Sequence, residues 1–145
     1  MRPGRVLALD VGKARIGLAL CDPDRILASP LDAVTRSESS ALVISQLIDE
    51  HSVAEIVVGL PVNLKGETTA STEDAHNFAT ELKGLLAIPM HFIDERFTTT
   101  TAAQKLRAAG KDSRSAKAII DSVAACEILE TYLNDWRKKR GSEIE

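Results

Sequence analysis

The sequence predicts an α/β domain built on a five-stranded mixed sheet, strand order 3-2-1-4-5, flanked by helices. Three observations predict it. Two short apolar, β-rich runs, residues 5–11 and 15–21, flank the turn Gly12-Lys13-Ala14-Arg15, a spacing suited to an antiparallel hairpin. Two later runs, Glu55-Ile56-Val57-Val58-Gly59-Leu60 and Met90-His91-Phe92-Ile93-Asp94, have strand length, and the first is almost continuously apolar, as a parallel strand covered on both faces should be. Segments with helical period separate them. A length of 145 residues fits one domain with one core, taken as residues 1–136, followed by a polar tail over 137–145.

In chain order, a third strand is expected over Ile26 to Val34 after the turn Asp22-Pro23-Asp24. Pro30 within it removes a ladder donor, which places this strand at a sheet edge. A helix follows Ser37-Glu38-Ser39-Ser40, its stripe formed by Leu42, Ile44, Leu47, Ile48 and His51. Pro61 ends the fourth strand, and residues 62–70 read as a mobile surface loop. Ser71 with Asp74 suggests a capping box opening a helix whose stripe is Ala75, Phe78, Ala79, Leu82, Leu85 and Leu86. After the fifth strand, Thr98 to Thr101 can cap a helix that carries Ala102, Ala103 and Leu106 and stops at Gly110. A last helix runs from Asp112 or Ser113 to about Trp136, with Ala118, Ala125, Ile128 and Leu129 on its apolar face. A meander followed by crossovers puts strand 1 at the centre, and ligands in open α/β sheets bind beyond strand carboxyl ends where the winding changes direction.

Composition narrows the function. The formal charge of −3 argues against tight, indiscriminate polyanion binding, so nucleic acid would have to be met by local patches. No stretch has the length of a membrane span and the N-terminus lacks signal-peptide layout, so a cytoplasmic protein is expected. Cys21 and Cys126 are far apart, without zinc-ligand spacing, and read as reduced packing residues. His51, His76 and His91 are equally scattered and enter no mechanism.

Three acids stand out: Asp10 inside strand 1, the Asp94-Glu95 pair ending the last strand, and Asp121 on the inner stripe of the last helix. A carboxylate in an apolar run is costly unless paired, protonated or bound to a metal. Converging carboxylates repel one another and are held together best by cations. Hard oxygen ligands favour magnesium or manganese, and two such ions about 3.5–4 Å apart support phosphodiester cleavage. Taken alone, Asp10 reads equally as a strand-end acid paired with Arg15, and Asp121 as a solvent-edge acid. Arg15 and Arg96 suit phosphate oxygens in geometry, or orient the acids.

Asp10-Val11-Gly12 with Arg15-Ile16-Gly17-Leu18-Ala19 and Asp22, Val57-Val58-Gly59-Leu60-Pro61, Asp94-Glu95-Arg96-Phe97-Thr98-Thr99, and Asp121-Ser122-Val123-Ala124-Ala125 through Tyr132-Leu133 resemble the YqgF/RuvX family over nearly the whole chain. The resemblance implies a ribonuclease H-like fold and a nuclease linked to maturation of the 5′ end of pre-16S ribosomal RNA or to Holliday junction resolution. It implies Asp10, Glu95 and Asp121 as catalytic metal ligands, choosing Glu95 over Asp94, which is left to cap the following turn or hold Arg96. Two departures are Ala14, where the family often has lysine, and Lys65, where it often has an acid or amide. Lys13 is a substitute for the first, and Lys13, Arg15, Lys65 and Arg96 are the candidate nucleic-acid contacts.

Other classes are weighed against this one. Asp10 to Gly17 also fits the phosphate-binding opening of actin-like ATP-binding proteins, but those need a second lobe for which 145 residues leave no room. A non-catalytic ribosome-assembly module would not need all three acids. Among substrates, structured precursor RNA is preferred and branched DNA comes second, since cutting a junction asks for two coordinated sites and hence a homodimer rather than a monomer.

Overall fold

The computed structural model describes residues 2–63, 65–98 and 114–144, with side chains in the last stretch described for 122–141. Strands β1 (Arg5–Val11), β2 (Arg15–Cys21) and β3 (Ala28–Thr35) form an antiparallel meander. Helix α1 (Ser40–Glu50) leads to β4 (Val53–Leu60), helix α2 (Ala70–Lys83) to β5 (Met90–Asp94), and a 3-10 turn (Glu95–Phe97) follows. Helix α3 (Arg114–Ile144) closes the chain. The sheet order is β3-β2-β1-β4-β5, with β4 parallel to both β1 and β5, as the sequence predicts. Pro30 sits on edge strand β3 opposite Ala19.

Alternation along β1 divides the core in two. Leu7, Leu9 and Val11 face Ile44 and Ile48 of α1 and Phe78, Ala79 and Leu82 of α2. Val6 and Ala8 face the other way, joining Ala19, Cys21 and Val57 against Ala125, Ile128, Leu129 and Leu133 of α3. Each large aliphatic side chain fully buried here contributes about 1.5–3 kcal/mol. Cys21 is a packing residue: its Sγ accepts the Val6 N–H at 3.1 Å, and burial pushes the thiol pKa up. Cys126 is also free, its pKa raised to about 11 by burial.

Several expected boundaries shift, each for a local reason. Strand β3 begins at Ala28 rather than Ile26, because Asp22 Oδ1 accepts the N–H groups of Ile26 and Leu27 and Arg25 holds a left-handed φ of 60°. Leu42 is 53% exposed, and Ala41 takes its place in the core beside Ile44 and Ile48. Helix α2 is capped by Thr69 with Thr72, not by Ser71 with Asp74. Thr72 also donates its hydroxyl to the Pro61 carbonyl, tying the helix start to the end of β4. Leu85 lies past the end of α2 and is exposed. Helix α3 continues beyond Trp136 to Ile144, and Arg137 donates to the carbonyls of Arg25 and Ile26. The helix expected around Ala102 to Gly110 lies outside the described residues.

A polar staple fixes the end of the sheet where β1 and β4 begin. Arg25, only 2% exposed, pairs with Glu55 at 3.3 Å, donates to the carbonyls of Gly4 and Pro3, and stacks on Trp136. Tyr132 donates to the same Glu55 carboxylate at 2.8 Å, and burial with this contact raises its pKa. Among the described residues, no helix is long and apolar enough to cross a membrane.

Candidate active site

Asp10 lies one residue from the end of β1, the middle strand, on the face shared with Val6 and Ala8. Its cross-strand neighbours are Gly17 on β2 and Gly59 on β4. Glycine inside a strand weakens it and marks a place where something approaches the backbone closely. Here two glycines bracket one half-buried carboxylate.

What approaches Gly59 is Glu95. A β-carbon built on Gly59 would stand 2.9 Å from Glu95 Oε1, 3.1 Å from its Cγ and 2.5 Å from Ile128 Cδ1. Paired strands lie about 4.8 Å apart, so Glu95 leans over the strand next to Asp10, on the α3 side of the sheet. The turn makes this possible. Asp94 ends β5 extended and accepts the Arg96 N–H at 2.9 Å, while its carboxylate takes the Arg96 guanidinium at 2.8 to 3.2 Å. The Arg96 contact holds the Asp94 pKa below its ordinary value. The adjacent acids are thereby separated: Asp94 faces Arg96, and Glu95 turns to Gly59. The cause is the 3-10 turn, not the alternation of an extended chain.

Asp121 lies in α3, next to Ser122, whose hydroxyl donates to the Leu31 carbonyl on β3. The helix then passes Ile128 at Gly59 and Tyr132 at Glu55, so it runs antiparallel to β4. The Asp121 side chain is outside the described ones. Among the described residues, no three His, Cys, Asp or Glu side chains are gathered to hold a metal ion. Asp10 stands beside Gly59, and the Glu95 carboxylate leans over that glycine, packed so closely that a β-carbon there would clash. Carboxylate oxygens are the donors that hard divalent cations take.

The candidate phosphate contacts divide. Lys13 is exposed on the hairpin turn and borders a cleft of about 540 Å³ with Arg36, Ser37, Glu38 and Asp74. Arg15 opens β2, half-buried, opposite Thr35. Lys65 is exposed on the loop after β4, where the Asn63 side chain accepts the N–H groups of Lys65 and Glu67. The same loop reaches Arg96: a β-carbon on Gly66, at φ 82°, would stand 2.9 Å from Arg96 Nη1.

Sequence reasoning missed Arg36. It donates to the Gly12 carbonyl at 2.9 Å and to both Asp74 oxygens at 2.9 and 3.1 Å, and lies over the Phe78 ring. It thus ties the hairpin turn after Asp10 to α2. Nothing in its local sequence marks it. The glycines opposite Asp10 were visible, as Gly17 and Gly59 each interrupt an apolar strand.

Comparison with known proteins identifies the family of the chain. Residues 4–135 match the family model described as RuvX: Holliday junction resolvase. A Mycobacteroides abscessus relative named "Putative pre-16S rRNA nuclease" is 48% identical over 144 residues, covering 97% of this chain and 86% of its own. A Streptomyces coelicolor relative of the same name is 45% identical over 140 residues, covering 94% and 84%. Among solved structures, Thermus thermophilus RuvC in complex with Holliday junction substrate aligns with a TM-score of 0.57 at 13% identity, over 90% of this chain and 95% of that one. A second RuvC structure from the same organism aligns at 0.52 and 15% identity, over 93% and 96%. At such identity the likeness speaks for the fold, which is ribonuclease H-like as the family resemblance implies.

Proposed function

The chain belongs to the RuvX family, and from that premise we propose that it is a divalent-metal-dependent nuclease for structured nucleic acid, processing the 5′ end of pre-16S ribosomal RNA. One observation carries the chemistry: Asp10 bracketed by Gly17 and Gly59, with the Glu95 carboxylate resting against Gly59.

Asp10, Glu95 and Asp121 are the ligands in this reading, two from the sheet and its last turn and one from the closing helix. When bound, magnesium or manganese, as one ion or a pair, would activate the attacking water and stabilise the leaving oxygen. The chain's own work is positioning. Asp94 and Arg96 lock the turn that presents Glu95, and Arg36 locks the turn that follows Asp10. Lys13, Arg15 and Lys65 meet phosphate oxygens, with a backbone-reading role that carries no base specificity. Arg96, already committed to Asp94, orients the turn first and contacts phosphate second.

Ribosomal RNA is preferred as substrate because the curated relatives carry that name across several bacteria. Cutting one RNA strand needs one site, so a monomer suffices. Such a substrate places the work in the cytoplasm.

The test is side-by-side cleavage of a pre-16S 5′ leader RNA and a four-way DNA junction, each with magnesium or manganese, by wild type and Asp10→Asn. Cleavage of the RNA, lost in the variant, is expected. Undiminished activity in Asp10→Asn sinks the site, exclusive cutting of the junction moves the substrate to DNA, and inactivity on both favours a binding module.

A further inference from the structure

Resting on that reading, we propose that Phe97 is a stacking platform that selects substrates with an unpaired base beside the scissile phosphate. Phe97 is 70% exposed, although a phenylalanine side chain gains more from burial than almost any other. It ends the same 3-10 turn that Glu95 begins. Consecutive α-carbons are about 3.8 Å apart, so those of Glu95 and Phe97 are no more than about 7.6 Å apart. Successive nucleotides on a stacked strand lie about 3.4 Å apart, so one short single-stranded segment can reach both the ring and a phosphate held at Glu95.

The ring is also held from behind. The Arg96 guanidinium lies 5.3 Å from its centroid, and Arg96 is itself fixed by Asp94 and by the close approach of Gly66. A cation over one face of an aromatic ring is favourable and stiffens the ring as a surface. A base inside a continuous duplex has both faces covered by its neighbours. Only an unpaired, bulged or terminal base can lay a face on Phe97, which is how proteins commonly take hold of single-stranded RNA. The selected feature is therefore a local break in pairing at the cut, not a sequence.

The test uses two RNA hairpins with the same strand across the cleavage position, one fully paired and one with an unpaired fluorescent adenine analogue beside it. Calcium replaces magnesium so that binding is read without turnover. Wild type is expected to quench the analogue. Phe97→Ala should lose most of the quench and bind the unpaired hairpin about tenfold more weakly, with little change on the paired one. Phe97→Trp should restore both. Equal quenching by Phe97→Ala, or an equal loss on both hairpins, overturns the proposal. So does a lower melting temperature with quenching intact, since the ring then packs rather than stacks. Cleavage by wild type and Asp10→Asn judges the nuclease reading separately. Quenching that depends on Phe97 in a protein that cuts nothing would keep the platform and discard the nuclease, and Asp10-dependent cutting with quenching indifferent to Phe97 would do the reverse.

Discussion

The carboxylate of Glu95 rests against the α-carbon of Gly59, so closely that a β-carbon there would lie 2.9 Å from Oε1. The same β-carbon would stand 2.5 Å from Ile128 Cδ1, a residue with no room to withdraw because it is 1% exposed. Gly59→Ala is therefore expected to cost about 1–3 kcal/mol by overpacking. Because Glu95 must move as well, cleavage should fall further than stability. Urea unfolding beside a cleavage rate at a temperature where the variant is folded separates the two effects.

If Asp10 and Glu95 hold a cation together, their isosteric amides should behave alike. Asp10→Asn and Glu95→Gln are each expected to lower cleavage by more than the roughly 10–100-fold typical of losing an outer partner of a metal ligand. Magnesium should raise the melting temperature of wild type in proportion to its binding and leave both variants nearly unmoved. A thermal titration with magnesium reads this directly, and an equal rise in all three proteins would remove both acids from the site.

The Arg36–Asp74 pair carries a pH signature. Arg36 holds the Asp74 pKa below its ordinary 3.8. A depressed folded-state pKa means that this stabilisation is fully present above 3.8 and is lost as pH falls through the lowered value. Arg36→Ala should cost about 1–2 kcal/mol near neutrality, discounted for the partial exposure of both side chains. It should also flatten the acid limb of stability below pH 4. Urea midpoints between pH 2.5 and 5 check the prediction, and parallel curves for variant and wild type would refute it.

The sheet was legible in the sequence because its signals are local: apolar runs, glycine-led turns and a proline on the edge strand. Asp10 and Glu95 could be singled out because each interrupts or ends such a run. That Glu95 leans over the strand beside Asp10 could not be read, since it rests on the parallel register that sets Gly59 beside Asp10. Helix ends were misjudged where a distant partner intervened. Asp74 has the composition of a cap but is drawn off by Arg36, and α3 outruns Trp136 where Arg137 finds carbonyls in the β2–β3 turn. Arg36 itself has no sequence signal, because its role consists of contacts with residues 24 and 38 positions away.

The staple at the opposite end of the sheet should separate stability from catalysis. Glu55→Ala leaves Arg25 buried without its carboxylate and is expected to cost about 3 kcal/mol. Because Glu55 lies near the start of β4 and Gly59 near its end, metal dependence of cleavage should be unchanged at temperatures where the variant is folded. A shifted magnesium midpoint would mean that the two ends communicate through β4 or α3.

Helix α3 covers Val6, Ala8, Ala19 and Val57, the face of the sheet on which Glu95 meets Gly59, and it is the last element of the chain. Undocking of α3 would bare that face and the floor beneath Glu95 in one step, so amide exchange along β1 and β4 should report the same opening as exchange in the helix.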